Sequence, residues 1–583
     1  MKAWADPLYG DSGWSRIIKS VEYYLRPGLT WPRRGARFSA QQLPAGAIFS
    51  DGKMAAFVSI DSLRAFHCLF NSSAFAALIR FQSDAVRIQF QNGLIQRTPV
   101  PPITPAHRIT LGSLASRGWS LRRSLDTRTE FSHAFVLPAI LQVAGDTVVG
   151  CTAAWAERVR DTERQMAAIQ AETDERCFAL YGIDGIDRRT IAEGFRSTSE
   201  TAEEDDANAH VAADSEENEA EESGDAARLA AELVSWAVGV VFARFDVRLA
   251  TGARPLPEEP EPFDPLPICS PGMLQTAQGL PVPGDIPPTY LAHIPWDGIL
   301  VDDPSHPQDI ERRVREVLEA VCSGQCAVAS GKPESTDHRP LTTDHFSADH
   351  RPRTTDHCAE ACEILGVRTL REYFRKPSGF FADHLKRYSK SRRQAPIYWP
   401  LSTTSGSYTL WIYYHRLTDQ TLYACVNDFV QPKLNDLERD IPRLRNEKRT
   451  KELQAAVALQ SELEEFKQEL LAWAPRWKPN LNDGVLITAC PLWKLLRLLK
   501  WRKDLEACWK KLEAGDYDWA HLAYSLWPDR VREKCKKDRS LAIAHGLEEI
   551  CEVPSPNAKA GKRGKRKNAT EAEQLALDKS EIM

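Results

Sequence analysis

The chain has 583 residues, too many for one hydrophobic core and enough for roughly three or four packed units. Hydrophobic residues at 43% and charged residues at 27% are globular values that exclude a fibrous or wholly disordered chain. The net charge of −5 hides a basic body: Ser199 to Asp225 holds twelve acidic residues and no Lys or Arg, and without those twelve the balance is +7, which suits a nucleic-acid partner without establishing one.

In chain order, Met1 to Tyr9 lacks the basic start, apolar core and small-residue cleavage site of a secretory signal, so a cytoplasmic protein is expected. Residues 1–110 read as an α/β domain, with β-like runs at Ala47 to Phe49 and Ala55 to Ile60 and a helix from Ser72 to Phe81 capped by Asn71 or Ser72. Residues 111–197 read as helical, with an amphipathic run from Ala153 to Tyr181. An acidic disordered linker, 198–227, follows because it has too few large apolar groups to offset its ordering entropy. Residues 228–325 form a helical and Pro-rich region, whose apolar stretch Ala230 to Phe245 contains Glu232 and Arg244 and is read as a buried helix, not a membrane span.

A duplicated insertion occupies 326–358: Asp337 to Ala348 reads DHRPLTTDHFSA and Asp349 to Glu360 reads DHRPRTTDHCAE, expected as a surface loop. Residues 359–425 predict helices and then a hairpin, Ile397 to Leu401 and Tyr408 to Tyr414 around the polar loop Ser402 to Ser407. In 426–478 the spacings of Leu437, Ile441, Leu444 and of Leu459, Leu463, Phe466, Leu470 predict an antiparallel helical hairpin, started, kinked or broken at Pro442. A Trp-rich helical block, 479–553, and a disordered basic tail, 554–583, complete the chain. The fold class is α+β and predominantly helical: an α/β unit, a helical spacer and a helical C-terminal block.

Chemistry-bearing motifs are scarce. Neither the Gly-rich strand-to-helix turn nor the Asn/Asp-Pro-Pro-Tyr/Phe loop of an amino-methyltransferase occurs; Asp285-Ile286-Pro287-Pro288 has an intervening Ile and ends in Thr289. A nuclease reading of Pro528-Asp529 with Glu533-Lys534, or of His384-Leu385-Lys386, fails on spacing, with Ser391 where the latter needs Asp. Cys322, Cys326, Cys358 and Cys362 flank His338, His345, His350 and His357, but three-residue spacing also places paired thiols on one helix face as core residues, so no metal site is assigned. Thirteen scattered cysteines read as reduced, mostly buried thiols. No catalytic residue is assigned.

Basic residues mixed with aromatics carry the positive case. Trp31, Arg33, Arg34 and Arg37 come first, then Arg97 after an expected strand, then Arg117, Arg122 and Arg123, and the densest group is Lys386, Arg387, Lys390, Arg392 and Arg393 around Tyr388. Arginine forks bind phosphate or a guanine edge, and lysines supply point charges for the backbone. A solvated basic face explains any one cluster equally well.

The segments GLTWPRR (28–34), LPAGAIFSD (43–51), LFNSSAFAALI (69–79), GLIQRTPVP (93–101), SHAFVLPA (132–139), PIYWPLSTTSGSYTLWIYYHRL (396–417), PNLNDGVLI (479–487) and YDWAHLAYSLWP (517–528) resemble the target-recognition region of PglX-type methyltransferases from BREX phage-defence systems, relatives of type IIG restriction-modification enzymes. The resemblance implies a parent activity of adenine-N6 methylation in double-stranded DNA with S-adenosylmethionine. It also implies a Rossmann-like catalytic domain ahead of this region, and Met1 falls only some twenty residues before the first resembling segment. The expectation is therefore a DNA-binding specificity portion that holds no cofactor itself. It would read double-stranded DNA through 1–110 and work with a separate N-terminal methyltransferase polypeptide, other defence proteins being further partners. The alternatives are a helical interaction scaffold and a truncated gene product without function.

Overall fold

The structure is a computed structural model that describes residues 20–35, 38–49, 53–82, 89–191, 226–276, 278–282, 295, 297–322, 357–390 and 393–552. Helix accounts for 60% and strand for 8%, so the chain is predominantly helical with small antiparallel sheets. Among the described residues no helix is long and apolar enough to cross a membrane. The chain divides into two compact units, Tyr23–Trp296 with Asp302–His384, and Met1–Glu22 with Asp297–Val301 and Leu385–Met583.

The first unit opens with β1 (Gly28–Pro32), β2 (Gln41–Leu43) and β3 (Lys53–Ala56), an antiparallel sheet in the order β2-β1-β3. Alternation along β1 sends Leu29 and Trp31 into an aromatic core with Phe38, Phe70, Phe75 and Phe90. Two helices cover that core, α1 (Ile60–Phe70) and α2 (Ser73–Phe81). Ser72 caps α2 by accepting from Phe75 N at 3.2 Å, as its place before an apolar run predicts. Next come α3 (Asn92–Arg97), α4 (Pro105–Asp126) and the long α5 (Val148–Tyr181), which Gly182 ends at φ +67°. Asp174 on α5 accepts from Ser73 N at 2.6 Å and Ser73 Oγ at 2.9 Å, locking α2 to α5.

Of the stretch expected as a buried helix, Ala230 to Val241 lies in α6 (Ala226–Val241), buried on nearly every face, whereas Phe242 to Phe245 leave the helix through Ala243 at φ +58°. Gly239 is required there, since an added Cβ would sit 2.3 Å from the Phe245 ring. The unit continues with α7 (Ile310–Cys322), α8 (His357–Ile364) and α9 (Leu370–Arg375). Helix α10 (Phe380–Arg387) spans the change to the second unit.

In the second unit β4 (Ile299–Val301), β7 (Tyr398–Ser402) and β8 (Thr409–Tyr413) form an antiparallel sheet in the order β4-β8-β7. β8 is central and every residue in it is buried. The β7–β8 hairpin is the predicted one, and its polar loop is tied down by Ser407 Oγ donating to Glu462 at 3.1 Å. A small ribbon, β5 (Ser389–Lys390) with β6 (Arg393–Gln394), precedes it. The predicted helical hairpin is α11 (Gln431–Asn446) and α12 (Thr450–Trp473); Leu437, Leu444, Leu463, Phe466 and Leu470 form its buried seam, and Pro442 lies inside α11. Helices α13 (Leu499–Ala514) and α14 (Pro528–Lys537) belong to the Trp-rich block.

Several expectations change. Ala47–Phe49 is not a strand, and β3 stops at Ala56, with α1 starting at Ile60 where the strand was expected to end. Arg97 ends a short helix rather than following a strand. The boundary at 110 falls inside α4. The end of the duplication, His357 to Glu360, is helical, since His357 and Cys358 are buried and Glu360 accepts from Val148 N at 2.8 Å at the start of α5. The acidic linker up to 225, the rest of the duplication and the basic tail lie outside the described residues, while Ala226 and Ala227, expected in the linker, begin α6.

Candidate nucleic-acid interface

In the first unit the site grows out of the aromatic core. Trp31 is 1% exposed and its indole Nε1 donates to Phe90 O at 2.9 Å, so it is a core residue and not a DNA contact, which corrects its assignment. This same packing pins the strand exit: Phe90 N donates to Arg33 O at 2.9 Å, and Arg34 bridges to Gln89. Arg33 and Arg34 are thereby exposed beside the segment that leads into α3, at whose end Arg97 is also exposed. Ile95 on α3 packs into the same core as Trp31, so the backbone segments that carry all three arginines flank one aromatic core.

Elsewhere on this unit the candidates differ in exposure. Arg123 lies over the Trp119 ring at 5.5 Å, and burial pushes its guanidinium below its ordinary value while Glu259 and Asp126 oppose the shift. Arg117 and Arg122 are exposed on α4. Arg37 lies outside the described residues.

The second unit holds the other cluster. Lys386 is exposed and Arg387 half-buried at the end of α10. The chain then turns into the β5–β6 ribbon, where Lys390 pairs with Arg393 and Ser389 with Gln394, closed by Ala395 N donating to Tyr388 O at 2.9 Å. Arg392 lies outside the described residues. Two-stranded ribbons of this kind place basic side chains along a phosphate backbone or in a groove.

No enzymatic centre emerges among the described residues. Asp302 and Asp309 are buried carboxylates, but Arg371 bridges them, at 2.8 Å to Asp309, and also meets Glu311 at 2.9 Å. This is a charge clamp with its acceptors already satisfied. His384, half of a weighed nuclease reading, is fully buried against Phe380. No group of three His, Cys, Asp or Glu among the described residues could hold a metal ion, and Cys358 and Cys362 are buried together on α8.

Sequence reading missed two features of the second unit. Trp473, Trp509 and Trp527 form a chain of rings at 5.3 and 5.7 Å, flanked by Arg476 over Trp473 at 4.7 Å and Arg530 over Trp527 at 4.3 Å. The signal was only the richness in Trp. On α13, Lys500, Lys503 and Lys510 lie on the exposed side away from Trp501, Leu505, Cys508 and Leu512, a stripe that helical spacing could have revealed.

No known family profile matches the chain, and no functionally characterised protein matches it in sequence. The resembling segments can still be followed in the fold. Asp483 in 479–487 accepts from His521 N and Leu522 N, both at 2.8 Å, in 517–528, and Asn71 in 69–79 accepts from Ala40 N at 3.0 Å. Asn71 and Asp483 therefore help to hold the fold together.

Proposed function

We propose that the chain is the DNA-binding specificity portion of a site-specific adenine-N6 DNA methyltransferase of the phage-defence type, with methyl transfer supplied by a separate polypeptide that binds S-adenosylmethionine. The observation that carries the reading is the trio Arg33, Arg34 and Arg97, exposed on segments that flank one aromatic core, within the stretches that resemble the recognition region. Guanidinium forks held at a fixed spacing can read a base edge or fix register on phosphate, which freely moving charges do worse. The basic cluster from Lys386 to Arg393 would add charge for the phosphate backbone, and the overall architecture is taken as a recognition unit, a helical spacer and a helical closing block.

The test has two arms. Arg33→Ala, Arg34→Ala and Arg97→Ala combined should weaken duplex binding at least about tenfold, a loss of about 1.4 kcal/mol, with unchanged thermal unfolding. The intact chain with labelled S-adenosylmethionine should place no methyl group on adenine. Undiminished binding by the triple variant, or methylation by the chain alone, overturns the reading; binding of defence proteins but not DNA would favour the interaction scaffold.

A further inference from the structure

The α11–α12 arm carries a separation of charge that a passive spacer does not need. Its turn, residues 443–451, holds Arg443, Arg445, Lys448, Arg449 and Lys451 against one acid, Glu447, and these side chains are all exposed. Its shaft, residues 431–442 and 452–473, holds eight acids and three basic residues. Surfaces shaped for solubility alone intersperse the two signs. Leu463, Phe466 and Leu470, the buried residues of α12, lie in its second half, so the turn is at the end remote from the packed base. With 24 residues, α12 is ~36 Å long at 1.5 Å per residue.

The backbone at the turn gives a second, independent observation. Lys448 closes α11 at φ +58°, with Lys448 N donating to Arg445 O at 3.2 Å and Arg449 N to Leu444 O at 3.1 Å. That left-handed position favours glycine, and an L side chain there costs ~1 kcal/mol. A lysine held there against its local preference puts an ammonium group at the outermost bend. Arg443 and Arg449 are ion-paired to Asp440 at 2.9 Å and Glu452 at 2.6 Å, whereas Arg445, Lys448 and Lys451 make no ion pair among the described residues.

We infer that the turn 443–451 is a phosphate-backbone contact for duplex DNA, made end-on by the arm. This rests on the DNA-binding reading above and adds a contact that reading does not contain. The acidic shaft repels the same polyanion, so the contact is confined to the turn and the arm acts as a probe of fixed reach. Because only backbone charge is engaged, the contribution is independent of sequence and falls with salt.

The test uses the full chain carrying Arg445→Gln, Lys448→Gln and Lys451→Gln, beside a shaft control, Glu464→Gln with Glu465→Gln. Filter binding to a short duplex is followed between about 50 and 200 mM salt. The turn variant should lower the slope of log K against log salt by up to about 2.7, at about 0.9 per lost phosphate contact, while the shaft control binds as well as the parent or better. If the parent binds and the turn variant keeps its slope and affinity, the arm contact is wrong and the DNA reading stands. If the intact chain binds no duplex at all, both fail together.

Discussion

The sheet at the start of the first unit and the helical arm of the second both end in exposed positive charge, but they hold it differently. Arg33, Arg34 and Arg97 sit on a core of interlocked rings, Trp31, Phe38, Phe70, Phe75 and Phe90. The arm holds its basic turn on a shaft with a single buried seam, and α12 has no buried residue before Leu463. A dense core fixes the backbone that carries base-reading side chains, whereas a slender arm fixes reach and leaves fine orientation free. Under the proposed DNA-binding reading, the first region would supply specificity and the second sequence-independent affinity.

The sharpest way to break this comparison is to remove the base. Trp31→Ala should destabilise the first unit by about 3–5 kcal/mol, from lost burial, the cavity and the orphaned Phe90 carbonyl. Val457→Ala on the exposed part of the arm should change stability by less than about 0.5 kcal/mol. Urea unfolding followed by tryptophan fluorescence measures both, and equal effects would erase the distinction.

Acid should find the same region. His67 packs under the sheet with Nε2 at 3.2 Å from Ala40 O and Nδ1 at 3.4 Å from Gln42 Nε2, an arrangement that suits the neutral ring with its proton on Nε2. Burial pushes its pKa down to about 4, partly opposed by the bond to Ala40. The unfolded chain takes up this proton near the ordinary value of 6.5 and the folded one does not, so stability is lost as pH falls from 6.5 towards 4. The loss approaches about 3 kcal/mol at most and is smaller for the part of the ring that touches water. Unfolding midpoints at a series of pH values should show this fall in the parent and lack it in His67→Gln.

The smallest effect belongs to the arm. Lys448→Gly relieves the left-handed position and should stabilise the turn by up to ~1 kcal/mol, read as slower amide exchange at Arg449, while weakening duplex binding. A destabilised turn would mean that Lys448 is not strained there.

What could be read in the sequence was local. The β7–β8 hairpin follows from aromatic and β-branched runs around a polar loop, the α2 cap from Ser72 before an apolar run, and the arm from its seam, because each depends on neighbours a few residues away. What escaped depends on distant partners. Trp31 next to two arginines looks like a stacking contact until Phe90, 59 residues on, accepts from its indole. Glu360 looks like the end of a loop repeat until it meets Val148 N, 212 residues away. The basic turn was visible as composition, but its separation from an acidic shaft has meaning only once the two helices are antiparallel. The sequence grouped Arg33, Arg34 and Arg97 as candidate contacts, but placed Arg97 after a strand where it ends a short helix.

The most direct test of the central claim is the salt dependence of double-stranded DNA binding by the intact chain. Log K should fall linearly with log salt, with a slope of about −0.9 for each phosphate neutralised, and measurable retention at about 50 mM should be largely gone by 200 mM. A flat line, or no retention of duplex even at the lowest salt, would contradict it.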